Sequence, residues 1–319
     1  MYKDTNNKQI LQFFAIYSFL ITNLLCNFDP YFTHIDMEIF NTQNSLRTYL
    51  ETPRAQHQKI ALVPTMGALH EGHMSLISEA KKHADIVVCS IFVNPTQFND
   101  PKDLEKYPRP IENDIKLLEA QGCDILFIPS VEEMYPDAEE QWQIDLGRLD
   151  QIWEGAQRPG HFQGVTQIVY KLFNLVNPDV ACFGQKDFQQ VMVIQHMIEI
   201  KNLDIQLIIC PIIRSKNGLA LSSRNARLSE AGKEKALILS HTLQAVKKGF
   251  NENVAIPELQ HIAEQMITEE GEVELEYFAI SETRTLERVE TVEADKQYIA
   301  HIVAWIEGVR LIDNMLLND

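Results

Sequence analysis

Between residues 59 and 210 the pattern of apolar and polar positions switches repeatedly between two periods. "KIALVPT" (59–65) is a short continuous apolar run, as expected of a strand buried on both faces. "GHMSLISEAKKHA" (72–84) instead places Met74, Ile77 and Ala80 along one side of a helix. "DIVVCSIFVN" (85–94) is a second strand, "IENDIKLLEAQG" (111–122) a helix ending on a C-cap glycine, and "CDILFIPS" (123–130) a third strand. A helix over 164–178 that stops at a proline, a fourth strand "DVACFG" (179–184), a helix over 188–202 and a fifth strand "DIQLIIC" (204–210) continue the alternation. The pattern predicts an α/β fold: a Rossmann-like parallel sheet with helices on both faces and right-handed crossovers. After residue 213 the rhythm changes. Long polar-faced helices over 229–250 and 256–271, with strands over 273–280 and 297–306, predict a smaller C-terminal α+β domain. The expected division is an N-terminal extension (1–36), a Rossmann-like domain (37–212) and a C-terminal lid (213–319).

In open parallel sheets ligands bind beyond the carboxyl ends of the strands, near a switch in strand order. Four of the five predicted strands end in polar groups. The first runs into Met66-Gly67-Ala68-Leu69, then His70-Glu71-Gly72-His73. The second reaches Asn94, then Gln97. The fourth ends in Gly184-Gln185-Lys186-Asp187, with Gln189 and Gln190 opening the next helix. The fifth leads through Ile213 to "GLALSSRN", which holds Leu221, Ser222, Ser223 and Arg224.

The H-x-G-H of His70 and His73 admits three readings: metal, phosphate or helix cap. Gly67 and Gly72 let backbone approach a ligand. His73 falls in the first helical turn, where free N–H groups and the helix dipole favour an anion, usually phosphate. A ring there donates hydrogen bonds without a permanent charge. Zinc is disfavoured, because H-x-G-H lacks the spacing of H-E-x-x-H and no third histidine or cysteine stands nearby. The cap stays open. Lys186 and Arg224 suit phosphate as a point charge and a guanidinium fork, although "LSSRN" also reads as an ordinary N-cap.

Charge restricts the partners. The 319 residues carry a formal net charge of −17, so the chain should repel nucleic acid and anionic membrane, and an anionic substrate needs a local cluster of donors. Four of the five cysteines, Cys89, Cys123, Cys182 and Cys210, lie in or beside apolar runs without C-x-x-C spacing. They read as small buried hydrophobes in a reducing compartment. Residues 10–26 are apolar but shorter than the ~20 residues that span a bilayer. Lys3 and Lys8 precede them, Asp4 dilutes that charge, and no small-x-small cleavage site follows. Residues 1–36 are expected to be an extension outside the fold, from an over-long gene start, with an export signal or anchor as the alternative.

Taken in order, "PTMGALHEGH", "SIFVNPTQF", "EGAQRPGHFQGV", "PDVACFGQKDFQQ", "GLALSSRN" and the closing "VRLIDN" resemble the motif set of the pantothenate synthetase (pantoate–β-alanine ligase) family, over residue 37 to the C-terminus. H-x-G-H corresponds to the HIGH motif of class I nucleotidyl-transferring proteins. "LSSR" stands where their synthetase relatives carry KMSKS. The resemblance implies ATP-dependent condensation of pantoate with β-alanine through pantoyl adenylate, giving pantothenate, AMP and pyrophosphate. It implies His73 as the catalytic proton donor and His70 as its phosphate-binding partner. It further implies ATP contacts from Met66, Gly67, Ala68, Leu69, His70, Glu71, Gly72, His73, Gly184, Gln185, Lys186, Asp187, Ile213, Leu221, Ser222, Ser223 and Arg224. Gln97 and Gln190 would hold pantoate, with Asn94, Arg158 and His161 as weaker candidates. Mg²⁺ would arrive with the phosphates, with no resident metal, and the protein would be a cytoplasmic homodimer. The rivals are a nucleotidylyltransferase that keeps its adenylylated product and a catalytically silent nucleotide-binding regulator.

Overall fold

The computed structural model describes residues 37–136 and 141–318. The apolar segment at 10–26 and its alternative readings lie outside them. Six strands form one parallel sheet: β1 (Glu38–Phe40), β2 (Ile60–Thr65), β3 (Ile86–Ile91), β4 (Ile125–Phe127), β5 (Val180–Gly184) and β6 (Gln206–Cys210), in the order β1-β4-β3-β2-β5-β6. The chain builds outward from β2 through β3 to β4, then crosses back to lay β5 against the other side of β2. The switch in strand order therefore falls between β2 and β5, so their carboxyl ends frame the place where a ligand should sit.

The parallel sheet is the predicted one, with an additional edge strand. β1 contributes only three residues, Glu38 and Ile39 of them exposed, so it carries no buried run for a pattern to detect. The third predicted strand also shrinks, from 123–130 to Ile125–Phe127. Helices α1 (Gln43–Ala55), α2 (Glu71–Ala80), α3 (Ile111–Gln121), α4 (His161–Val176) and α5 (Phe188–Ile200) cover the sheet. Leu46, Leu62, Phe127, Phe173 and Ile194 pack in one core, and Ala61, Val63, Ile77, Leu118 and Leu126 in another. Alternate β2 residues thus enter different cores, as expected of a strand covered on both faces. Gly122 closes α3 in the left-handed conformation at φ 69°, as its position predicts. Cys89, Cys123, Cys182 and Cys210 are buried free thiols.

A second sheet, antiparallel, holds β7 (Glu274–Glu282), β8 (Tyr298–Ile306) and β9 (Val309–Leu316) in that order. Helices α6 (Leu237–Asn251) and α7 (Ile256–Glu270) pack with it, and a break at Ala236 divides the single helix predicted over 229–250. The near-continuous apolar run of β8 has a simple cause. Tyr298, Ala300, Ile302 and Ala304 enter the helix-packed core, whereas Ile299 meets Phe188 at the start of α5. Residues 37–318 belong to one compact unit that contains both sheets.

Candidate active site

The polar strand ends converge on one cleft. Its lining includes Met66, His70, Gly72 and His73 after β2, Asn94 and Gln97 after β3, and Gly184, Lys186, Asp187 and Gln190 after β5. Ile213, Leu221, Ser222, Ser223 and Arg224 follow β6. Gly67, Ala68, Leu69, Glu71 and Gln185 are not part of that lining. Leu69 is buried, Glu71 is exposed, and the Gln185 side chain turns to Asn314.

The loop from β2 to α2 is held from below by a residue that sequence reasoning missed. Asp114 of α3 is fully buried and accepts the N–H groups of Ala68 and Leu69, each at 2.8 Å. Burial raises its carboxyl pKa above the ordinary range, against the two amides that favour the charged form. Gly67 and Ala68 adopt positive φ, 80° and 51°, and a Cβ at Gly67 would come within 3.0 Å of Asp114 Oδ2. Both conformation and space therefore favour glycine at position 67.

The cap and phosphate readings of the histidines turn out to be compatible. His70 is the N-cap of α2. Its Nδ1 accepts the Gly72 N–H at 3.1 Å, and the Nδ1 of His73 accepts the His70 N–H at 3.3 Å. Each Nδ1 is thus an acceptor, which places the proton of each neutral ring on Nε2. Neither Nε2 has a hydrogen-bond partner among the described residues, so both remain available as donors. The rings stand 4.2 Å apart between centroids. Burial lowers the His70 pKa to about 4, helped by the Lys186 charge. Burial lowers His73 to about 3, with His70 and Lys186 adding to it. Both rings are therefore neutral near pH 7 in the ligand-free protein. Among the described residues no group of three His, Cys, Asp or Glu could hold a metal ion.

Gln97 sits in the turn Pro95–Gln97, and a network fixes it. Asn94 Nδ2 donates to Gln97 Oε1 at 3.2 Å and to the Gly164 carbonyl at 3.0 Å. Gln97 Nε2 faces Met66 Sδ at 2.9 Å. The His161 Nδ1–H donates to the Gln97 carbonyl at 2.8 Å, leaving His161 Nε2 to accept from Arg158 at 3.1 Å. Asn94, Arg158 and His161 thus brace Gln97. The Gln190 amide lines the cleft without a partner among the described residues.

On the opposite wall, the Lys186 ammonium has no ion pair or hydrogen bond among the described residues, and burial lowers its pKa. Arg224 lies 3.6 Å from Asp103, which also meets Arg227 at 3.5 Å. Tyr107 lines the same edge. Asp103 and Tyr107 follow no strand end, so the strand-end rule does not reach them.

The pantoate-β-alanine ligase family model matches residues 38–316. The chain belongs to the pantoate–β-alanine ligase family. It is 47% identical to the pantothenate synthetase of Cytophaga hutchinsonii over 274 residues, covering 85% of this chain and 96% of that protein. It is 46% identical to the pantothenate synthetase of Bacteroides fragilis strain YCH46, covering 88% and 98%. The crystal structure of pantothenate synthetase from Thermus thermophilus superposes with a TM-score of 0.83 at 38% identity, covering 89% of this chain and all of that one. The pantoate–β-alanine ligase from Francisella tularensis, solved with β-γ ATP and β-alanine, gives a TM-score of 0.71 at 34% identity, covering 88% and 98%. The family match begins at residue 38, and no described helix is long and apolar enough to cross a membrane.

Proposed function

We propose that this chain is an AMP-forming ligase that condenses pantoate with β-alanine at the expense of ATP. The observation that carries the reading is the meeting of two kinds of donor in one cleft. Among the described residues, two neutral histidines and an unpaired lysine face unpaired or lightly engaged amides of Gln97 and Gln190. The first set suits phosphates, and the second suits a hydroxy acid.

In the first step a pantoate carboxylate oxygen attacks the α-phosphorus of ATP and pyrophosphate leaves. The Nε2–H groups of His70 and His73 donate to phosphate oxygens, most strongly as negative charge builds on the leaving group. His73, lying deeper, is the proposed proton donor. Lys186 and Arg224 offset charge, with Ser222, Ser223 and backbone near Met66, Gly184 and Ile213 completing the ATP contacts. Gln97 and Gln190 orient pantoate. In the second step the β-alanine amine attacks the acyl adenylate, an amide forms, and AMP and a proton depart. Holding the reactants in line can supply ~7–11 kcal/mol in favourable cases.

Magnesium fits as a companion of the phosphates. Among the described residues Asp187 is the one acidic side chain lining the cleft, so a single carboxylate at most would join phosphate oxygens and water around the ion, as Mg²⁺ prefers. When bound, the ion supplies charge neutralisation at the phosphates. Residues 213–319 are proposed to act as a lid that keeps water from the anhydride. A cytoplasmic homodimer is the proposed setting, and light scattering would check the oligomer.

The test is product analysis of the purified full chain. With ATP, Mg²⁺, pantoate and β-alanine it should form pantothenate, AMP and pyrophosphate in equal amounts. Accumulation of an adenylylated product without pantothenate would favour the nucleotidylyltransferase rival, and no turnover would favour the silent regulator.

A further inference from the structure

The closing stretch Arg310-Leu311-Ile312-Asp313-Asn314 has no part in the assignments above, yet each of its polar side chains reaches a different segment around the cleft. Arg310 clasps Glu154 through two hydrogen bonds of 2.9 and 2.6 Å. Asp313 takes the Arg214 guanidinium with both oxygens, at 2.6 and 2.9 Å. Asn314 is buried in β9, and its Nδ2 donates to the carbonyl oxygens of Gln185 at 3.0 Å and Lys186 at 2.9 Å. Its Oδ1 accepts from Gln185 Nε2 at 3.2 Å.

These three bonds grip the 3-10 turn Gln185–Asp187, which carries Lys186 into the cleft. The turn has little support of its own. Neither Gly184 at its start nor Asp187, the N-cap of α5, provides a side-chain cap. Two carbonyls of the turn accept side-chain hydrogen bonds from the other sheet. The charges of Asp187 and, more weakly, Asp313 reach Lys186, but neither forms an ion pair with it, and Asp313 is already committed to Arg214 with both oxygens. The Lys186 ammonium is therefore left for an anion.

We propose that Asn314 is a positioning residue, acting through the backbone of the Gln185–Asp187 turn to hold Lys186 against the phosphates of ATP. The proposal rests on the reading of the cleft as an ATP site. It gives the β9 motif a role in nucleotide binding, although the motif lies more than a hundred residues from the turn it holds. Asn314 should matter for ATP and little for pantoate.

The experiment is a double-mutant cycle on the full chain, read by calorimetric titration with MgATP. The variants are Asn314→Ala, Lys186→Ala and the pair, each checked for fold by circular dichroism and thermal unfolding. Asn314→Ala should weaken ATP binding by about ten- to hundredfold, as a displaced binding group does. In the Lys186→Ala background the same change should cost no more than about twofold, the margin within which independent effects add. Equal losses in both backgrounds would overturn the proposal and leave Asn314 a structural residue. Should Asn314→Ala fail to fold, Asn314→Ser keeps one donor in a smaller side chain, and the same cycle decides. Asn314→Asp should also weaken ATP, since its carboxylate cannot donate to either carbonyl, whereas wild-type affinity in that variant would contradict the proposal. If wild type itself neither binds ATP nor catalyses the ligation, the site reading fails. If wild type does both and the cycle is multiplicative, only the positioning role fails.

Discussion

Gly164, in the first turn of α4, offers a sharp test of how pantoate is held, because it touches no ligand in the proposed site. Its Cα faces the backbone of the turn that carries Gln97. A Cβ there would lie 2.5 Å from the Thr96 carbonyl carbon and 2.7 Å from the Gln97 amide nitrogen, closer still to the Thr96 oxygen. Ordinary contact begins near 3.4 Å, so Gly164→Ala must push α4 and the turn apart by at least about 0.9 Å (3.4 minus 2.5). Both partners at this contact are backbone, so no side chain can swing away. The bonds from Asn94 to the Gly164 carbonyl and from His161 to the Gln97 carbonyl span the same gap and must lengthen. Overpacking of this kind costs about 1–3 kcal/mol of stability, and a shift near 1 Å in a positioning group can cost about a hundredfold in rate. Gly164→Ala should therefore raise the pantoate KM and lower kcat/KM for pantoate by about ten- to hundredfold. MgATP affinity should stay close to wild type, because the ATP side is built on other strand ends. Steady-state kinetics with pantoate varied, beside ATP titration and thermal unfolding, makes the comparison. A folded variant with wild-type pantoate kinetics would refute the claim that this contact sets Gln97, and an equal loss of ATP affinity would show that the damage is not local.

Three further outcomes follow from the geometry. His73→Ala should lower kcat by about 10²–10⁴-fold with a much smaller change in pantoate KM, as expected of a group acting mainly in the transition state; a variant that only loses stability would contradict that role. His70, His73, His161 and His301 all have folded pKa values of about 3 to 4, below their unfolded values, chiefly through burial. The unfolded chain binds more protons there, so their contribution to stability is full above about pH 6.5 and is lost as the pH falls toward 3; urea unfolding as a function of pH should show this decline, and a flat profile would contradict it. Arg310→Ala leaves the largely buried carboxylates of Glu154 and Glu276 without their shared partner and should cost about 3–5 kcal/mol in urea unfolding, with little rescue by Arg310→Lys, which cannot form the paired fork.

Much of the site was legible because its chemistry follows strands whose burial pattern is plain. β2, β3 and β5 are buried apolar runs, β6 is apolar in sequence although it lies partly exposed at the sheet edge, and the residues after all four line the cleft where the strand-order switch predicts. The supporting residues were not legible, for a physical reason. Asp114 reads as one more acidic residue in a helix that also carries Glu112 and Glu119, although its spacing from Ile111 and Leu118 puts it on their apolar side, and only the folded chain shows it buried under Ala68 and Leu69. Asn314 and Gln185 pair across 129 residues, which no local period records. Each imidazole's tautomer depends on backbone amides that the motif only hints at. β1 was missed because an edge strand of three residues, two of them exposed, carries no hydrophobic signal.

The central claim is that the cleft activates pantoate with ATP before any amine is needed. Isotope exchange between pyrophosphate and ATP tests it most directly, with purified full chain, Mg²⁺ and no β-alanine. The account predicts exchange that depends on pantoate and falls steeply in Lys186→Ala and His73→Ala. Exchange that is absent, or that runs equally well without pantoate, would contradict it.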